Sequence, residues 1–209
     1  MSDDRSPIAD PFDAPPPDPL VLLHGWVAAA REAGVREPLT VTLATSGRDG
    51  RVTSRTVVLR AVDGTGVLLT SMRTSAKGRQ MAENPWAAVT LYWRETSQQV
   101  NLAGPVTVVD GEPADAMFAA QPRAAQVATA LSVQGRALTD EDALRHRARE
   151  LRESPDPVPR PAGWVGYRIA PEHVELWQGS PDDRLHRRLR YERTATDTGT
   201  GWTASRLQP

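Results

Sequence analysis

From Leu39 onward apolar residues recur at every second position. That alternation predicts β-strands near residues 39–45, 52–61, 66–71, 86–93 and 98–109. In the 98–109 strand Val100, Leu102, Val106 and Val108 share one face, and Gln99, Asn101 and Thr107 the other. The segments SGRDG at 46–50 and DGTG at 63–66 read as hairpin turns. Ahead of the strands the period is helical: Leu20, Leu23, Val27 and Ala30 fall on one face of Pro19–Ala33, and Asp18 is placed to cap it. A short helix is expected from Ser75 to Glu83, stopped by Asn84-Pro85. Residues 112–152 lose the strand alternation and read as two or three helices, one of them Asp140 to Leu151. Four prolines (Pro155, Pro157, Pro159, Pro161) close that region, and strands return at 164–170, 173–178, 186–192 and 201–207. Many antiparallel strands around a helical insertion predict a mainly β, α+β fold: a closed or split β-barrel with flanking helices. Residues 1–18 hold mostly proline, aspartate and small residues, and are expected to form a flexible tail. Residues 19–209 are expected to form a single domain, without internal repeats.

Composition narrows the function. Net charge is −1, so no overall pull toward nucleic acid or membrane is expected. The chain has no cysteine, which removes disulfides, thiol catalysis and cysteine-based metal sites. No apolar run approaches the ~20 residues that span a bilayer. The N-terminus is acidic and proline-rich, unlike a signal peptide, so a cytoplasmic location is expected. Lys77 is the only lysine among 25 basic residues. A GC-rich genome that favours arginine codons accounts for that bias, and a local need for a compact ammonium charge, or chance, for the one lysine that survives it.

No glycine-rich phosphate loop, nucleophile elbow or HExxH motif occurs. His24, His146, His173 and His186 lack metal-ligand spacing, so no metal site is expected. An anionic cofactor would therefore be held by side chains. Arg55 shares a strand face with Val57 and Leu59, while Arg60 points the other way. A cation among apolar neighbours needs a partner, and either an acidic side chain or a phosphate would serve. Ser71 ends the next strand, and Ser75 and Lys77 open the short helix, where free backbone N–H groups favour an anion. Arg55, Ser71, Ser75 and Lys77 thus form a candidate phosphate site. A second group is C-terminal: on an extended strand Arg184, His186 and Arg188 would share one face, with the flat ring of Trp177 nearby. A histidine between two arginines is expected to stay neutral. A solvated edge strand would look the same, and so would a nucleic-acid-binding strip, given five arginines between Arg184 and Arg193.

The run NPWAAVTLYWRETSQQVNLAG from Asn84 to Gly104, with ELWQGSPDDRLHRRLRY from Glu175 to Tyr191, resembles the flavin-binding sequence of the pyridoxamine 5'-phosphate oxidase superfamily. The likeness extends from about Leu39 to the terminal Arg206-Leu-Gln-Pro. It implies an FMN-binding split β-barrel, a homodimer with two FMN sites at the subunit interface, and hydride removal followed by reaction with O2, giving H2O2. Carried over by position, the FMN-binding strand is Arg55, Thr56, Val57, Val58, Leu59 and Arg60, and the phosphate-side pair is Thr70 and Ser71. Lys77 is the phosphate lysine, Gln99 the ring-side glutamine, and Trp177 and Arg188 the ring-side tryptophan and arginine. Gln134 corresponds to a glutamine donated by the partner subunit. Ala76 and Gly135 depart from the cofactor pattern. Arg184 and His186 match an Arg-x-His that lies over the substrate ring, with one extra residue between Trp177 and Arg184. The family's substrate-phosphate ligands fall at Arg60, Met117, Gln121 and Ala125, where only Arg60 keeps a charge. Together with Gln98, at which the vitamin-making enzymes carry arginine, this brings the chain nearer to the flavin oxidases of phenazine biosynthesis. The expected activity is FMN-dependent oxidation of a reduced ring, with Arg184 and His186 at the substrate. The alternative is pyridoxine/pyridoxamine 5'-phosphate oxidase activity. No nucleic-acid or membrane partner is expected.

Overall fold

The computed structural model describes residues 10–196 and 199–209. The elements in chain order are α1 (Pro19–Glu32), β1 (Thr40–Ser46), β2 (Val52–Asp63), β3 (Gly66–Met72), α2 (Ala76–Glu83), β4 (Trp86–Trp93) and β5 (Gln98–Val109). Then come α3 (Glu112–Ala119), α4 (Arg123–Leu131), α5 (Glu141–Glu153), β6 (Trp164–Ile169), β7 (His173–Gln178), β8 (Arg187–Thr196) and β9 (Gly199–Leu207). The alternating segments became strands and the 3.6-period segments helices, close to the expected boundaries.

Six strands close a ring in the order β1-β2-β3-β6-β5-β4, and β7, β8 and β9 continue outward from β5. The ring splits at Gly104-Pro105. Ahead of it, Gln98 to Ala103 pair with β7; beyond it, Val106 to Val109 pair with β6. The chain passes from β6 to β7 through residues 170–172 and stays hydrogen-bonded to β5 on both sides of the break. Ala170 N donates to Pro105 O at 3.1 Å, and Glu172 N to Ala103 O at 2.9 Å. Glycine is required at 104 because a Cβ there would lie 2.1 Å from the Ala170 carbonyl oxygen.

The barrel interior is filled by Leu43, Leu59, Leu69, Leu91, Leu102 and Ile169, all fully buried. Each such side chain contributes ~1.5–3 kcal/mol of burial. α1 caps one opening with Leu20, Leu23, Val27 and Ala30, and the Asp18 carboxylate accepts from Leu20 N at 2.9 Å. A smaller core of Phe118, Val127, Val158 and Trp164 seats α3 and α4 beside β6.

Two expectations change. Residues 1–9 of the expected tail lie outside the described residues, but residues 10–18 are packed onto the domain. Phe12 is buried beside Trp26, Arg187 bridges Asp10 and Asp13, and Tyr191 Oη donates to Pro16 O. A single aromatic among prolines found an apolar slot, and proline lost little entropy on ordering. Val108 does not join the core face: it is 46% exposed. Past the split, β5 leaves the shared interior, so the alternation carries it outside.

Candidate functional site

Hydrogen bonds at the end of β3 and the start of α2 build the first part of the site. Ser75 caps α2: its Oγ accepts from Gly78 N at 3.1 Å and donates to Met72 O at 2.8 Å. Gly78 has no room for a side chain, since a Cβ would lie 2.4 Å from Met72 O. The first turn of α2 therefore presses directly on the end of β3. Ser71 Oγ lies 3.3 Å from Ser75 Oγ, and both residues are buried. The next helical residue, Lys77, is only 7% exposed. Its ammonium donates to Gln134 Oε1 at 3.2 Å.

These residues border a groove of about 400 Å³. Its walls come from β2 (Val57, Val58, Arg60), β3 (Thr70, Ser71, Met72), Lys77, the α4 side (Ala128, Thr129, Ser132, Gln134) and Trp164. Two walls are cationic, several carry hydroxyls or amides, and none is acidic. Arg60 Nε donates to Thr70 Oγ1 at 3.3 Å across the β2–β3 ladder.

Arg55 stands behind this groove rather than in its wall. It donates to Thr45 Oγ1 (2.6 Å), Thr53 Oγ1 (2.7 Å), Gln80 Oε1 (3.2 Å) and Leu43 O (3.3 Å), all neutral acceptors. Thr56 is exposed and Leu59 is fully buried in the barrel, and neither lines the groove. Among the described residues neither Arg55 nor Lys77 has an acidic partner. Burial, then the nearby positive charge of Arg55, push the Lys77 ammonium below its ordinary 10.5. Burial lowers Arg55 too. The internal salt bridge left open by sequence is absent among the described residues. The two cations are neighbours and one is buried, and the opposite charge of a phosphate dianion would raise the Lys77 value back toward its ordinary one.

Gln134, which the resemblance assigns to a partner's cofactor site, reaches Lys77 of its own chain from the turn after α4.

The second part of the site is on the sheet extension. Gln99 pairs with Trp177, and Trp177 with Arg188, so the three form one row across β5, β7 and β8. None of them lines the groove of the same chain. The expected common face of Arg184, His186 and Arg188 did not form, since β8 begins only at Arg187. Ahead of it, residues 179–186 make a tight loop in which Arg184 has φ of +63°. Ser180 Oγ and Leu185 N donate to Asp183 Oδ1 at 2.6 and 2.9 Å. His186 still reaches the row by a different route: its ring lies 4.9 Å from Trp177, and its Nδ1 accepts from Ser180 N at 3.0 Å. An accepting Nδ1 puts the proton of the neutral ring on Nε2. Sequence reasoning missed Glu175, whose buried carboxylate holds Arg188. Its only signal was an acidic residue two positions before Trp177 on a strand facing arginines. Among the described residues no group of three His, Asp or Glu is placed to hold a metal ion.

The closed ring with its strand extension, and the cationic groove between β2, β3 and α2 with no carboxylate among its lining residues, define a split-barrel protein. Residues 27–154 match the pyridoxamine 5'-phosphate oxidase family, and residues 164–209 the pyridoxine 5'-phosphate oxidase C-terminal dimerisation region. The chain belongs to the pyridoxamine 5'-phosphate oxidase family. It is 43% identical over 198 residues to dihydrophenazinedicarboxylate synthase of Pseudomonas chlororaphis, covering 95% of this chain and 87% of that protein. It is 39% identical to pyridoxine/pyridoxamine 5'-phosphate oxidase of Burkholderia orbicola, covering 92% of this chain and 90% of that protein. The crystal structure of PhzG from Burkholderia lata 383 in complex with tetrahydrophenazine-1-carboxylic acid superimposes with a TM-score of 0.90. That match has 40% identity and covers 95% of this chain and 96% of that one. Among the described residues no helix is long and apolar enough to cross a membrane.

Proposed function

We propose that this protein is an FMN-dependent oxidase of a reduced, electron-rich ring of the phenazine-precursor type. The carrying observation is the groove with Lys77 and Arg60 in its walls and no carboxylate among its lining residues. The donor set suits FMN. Lys77, Ser71 and Thr70 would hold the phosphate, with Ser75 fixing the start of α2 beside them and Arg55 adding positive potential from behind. FMN, when bound, supplies the hydride acceptor and the later transfer of electrons to O2, with H2O2 as product.

In this reading the protein works as a homodimer. The matched dimerisation region includes Trp177 and Arg188, and the row of Gln99, Trp177 and Arg188 comes to the groove from a second copy. Arg184 and Arg60 pair with carboxylates of the substrate. His186, packed at a tilt against Trp177, offers its Nε2–H as a hydrogen-bond donor that orients the ring. The protein supplies orientation and electrostatics rather than an essential base.

The phenazine-type substrate is favoured over a pyridoxine phosphate by what stands at the substrate-phosphate positions. Met117, Gln121 and Ala125 are absent from the groove wall. Gln121 is buried, with its Nε2 unpartnered, and Met117 packs beside the Phe118 and Trp164 core. Each missing hydrogen bond to the charged phosphate would cost ~1–3 kcal/mol of binding. The experiment is anaerobic mixing of the FMN-loaded protein with tetrahydrophenazine-1-carboxylic acid or with pyridoxine 5'-phosphate. Rapid bleaching of the flavin by the first and not the second is expected. Equal or faster bleaching by pyridoxine 5'-phosphate would select the vitamin-making activity instead.

A further inference from the structure

Among the described residues Glu175 is the one buried carboxylate on the outward face of the sheet extension, its side chain 9% exposed between two arginines of β8. Oε1 accepts from Nε and Nη2 of Arg188 at 2.9 and 2.7 Å. Oε2 accepts from Nε and Nη2 of Arg190 at 3.1 and 2.9 Å. The strand register creates this: Glu175 pairs directly with Arg190, one same-face step from the Trp177–Arg188 pair. The remaining terminal nitrogen of Arg188, Nη1, donates to the Gln208 carbonyl at 3.2 Å. Burial pushes the Glu175 carboxyl up, but the bonds and charges of Arg188 and Arg190 outweigh it and leave it below its ordinary value. It is therefore ionised at neutral pH. Structural pairing alone would be met by one arginine. Here each oxygen takes a separate guanidinium fork, and only one of the two arginines lies in the Gln99–Trp177 row.

We propose that Glu175 is a positioning residue for the flavin contact: it locks Arg188 in the row and divides its own negative charge between Arg188 and Arg190, so setting the positive potential the flavin ring meets. The inference rests on the functional reading above, in which this row meets FMN. Arg188 keeps one free N–H on each terminal nitrogen for a ligand, and the clamp fixes where those hydrogens lie. Arg190 hydrogen-bonds Glu175 and lies 4.0 Å from the Glu192 carboxylate, and Glu175 is the group through which it is joined to Arg188.

The test uses the full chain loaded with FMN and three readouts: FMN affinity, the flavin midpoint potential, and exchange of the Arg188 Nε–H by NMR. Glu175→Gln should raise the potential, weaken FMN binding roughly tenfold and speed exchange of that N–H. Arg190→Gln should move the potential the opposite way and leave the N–H protected, because Glu175 then serves Arg188 alone. Arg190 is 37% exposed, so this variant carries the test if Glu175→Gln does not fold. Normal FMN uptake with unmoved potentials in the folded variants overturns the inference alone, as does a protected N–H in Glu175→Gln. A wild-type protein that takes up no FMN overturns the functional reading and this inference with it.

Discussion

At the scale of single residues, Lys77 concentrates the chemistry. A buried ammonium whose one partner among the described residues is an amide oxygen is costly unless a ligand supplies negative charge. Lys77→Met should keep the fold, since the aliphatic stem is retained. It should weaken FMN binding roughly ten- to a hundredfold in a fluorescence titration, the worth of a hydrogen bond to a charged group. The sign of the pH dependence follows from the depressed Lys77 value. Below that value the lysine is protonated and FMN binds without proton uptake. As pH rises through it toward 10.5, binding must take up a proton, so affinity falls. A flat titration series across that alkaline window would place the phosphate elsewhere. The lone lysine and the arginine on an apolar strand face were legible as candidates for an anion site. That Arg55 would stand behind the groove was not, because a strand pattern says which face a residue takes, not which neighbours its long side chain finds across the ladder.

At the scale of elements, the break in β5 positions both halves of the site. One side of Gly104-Pro105 keeps β6 and the groove, and the other starts the sheet extension that carries Trp177 and Arg188. Gly104→Val should force the Ala170 carbonyl away and destabilise the fold by ~2 kcal/mol or more, read as a Tm lowered by several degrees. An unchanged Tm would mean that the crossing gives way freely. The packed segment ahead of α1 behaves as part of the domain. Phe12→Ala should lower unfolding free energy in urea by about 3 kcal/mol, whereas a tail residue would be neutral. Helix and strand positions were readable because each element repeats its own period. The loop at 179–186 was not readable, because the side chains of Asp183 and His186 accept from its backbone N–H groups in local bonds that no period announces.

At the scale of the whole molecule, the two parts of the proposed site lie apart within one chain, and the functional reading joins them across two copies. Complementation tests this directly. Lys77→Met damages the groove and Arg188→Leu the row. Refolding the two variants together should recover roughly a quarter of wild-type activity, since half of the randomly formed symmetric dimers would carry one undamaged site. No recovery, with dimers present, would place groove and row in the same copy. The alternation of apolar positions was enough to specify a mainly β barrel with inserted helices, because burial on one face of a strand leaves a period of two in the chain. The residue types were enough to nominate an anion-binding surface, because cations among apolar and hydroxyl neighbours call for a counter-charge. Closure of the ring at β4 and β5, the pairing of Lys77 with Gln134, and the clamp of Glu175 on Arg188 and Arg190 emerged only on folding. Each depends on contacts between segments remote in sequence or on the register of paired strands, and such contacts are set by three-dimensional packing rather than by any local rule.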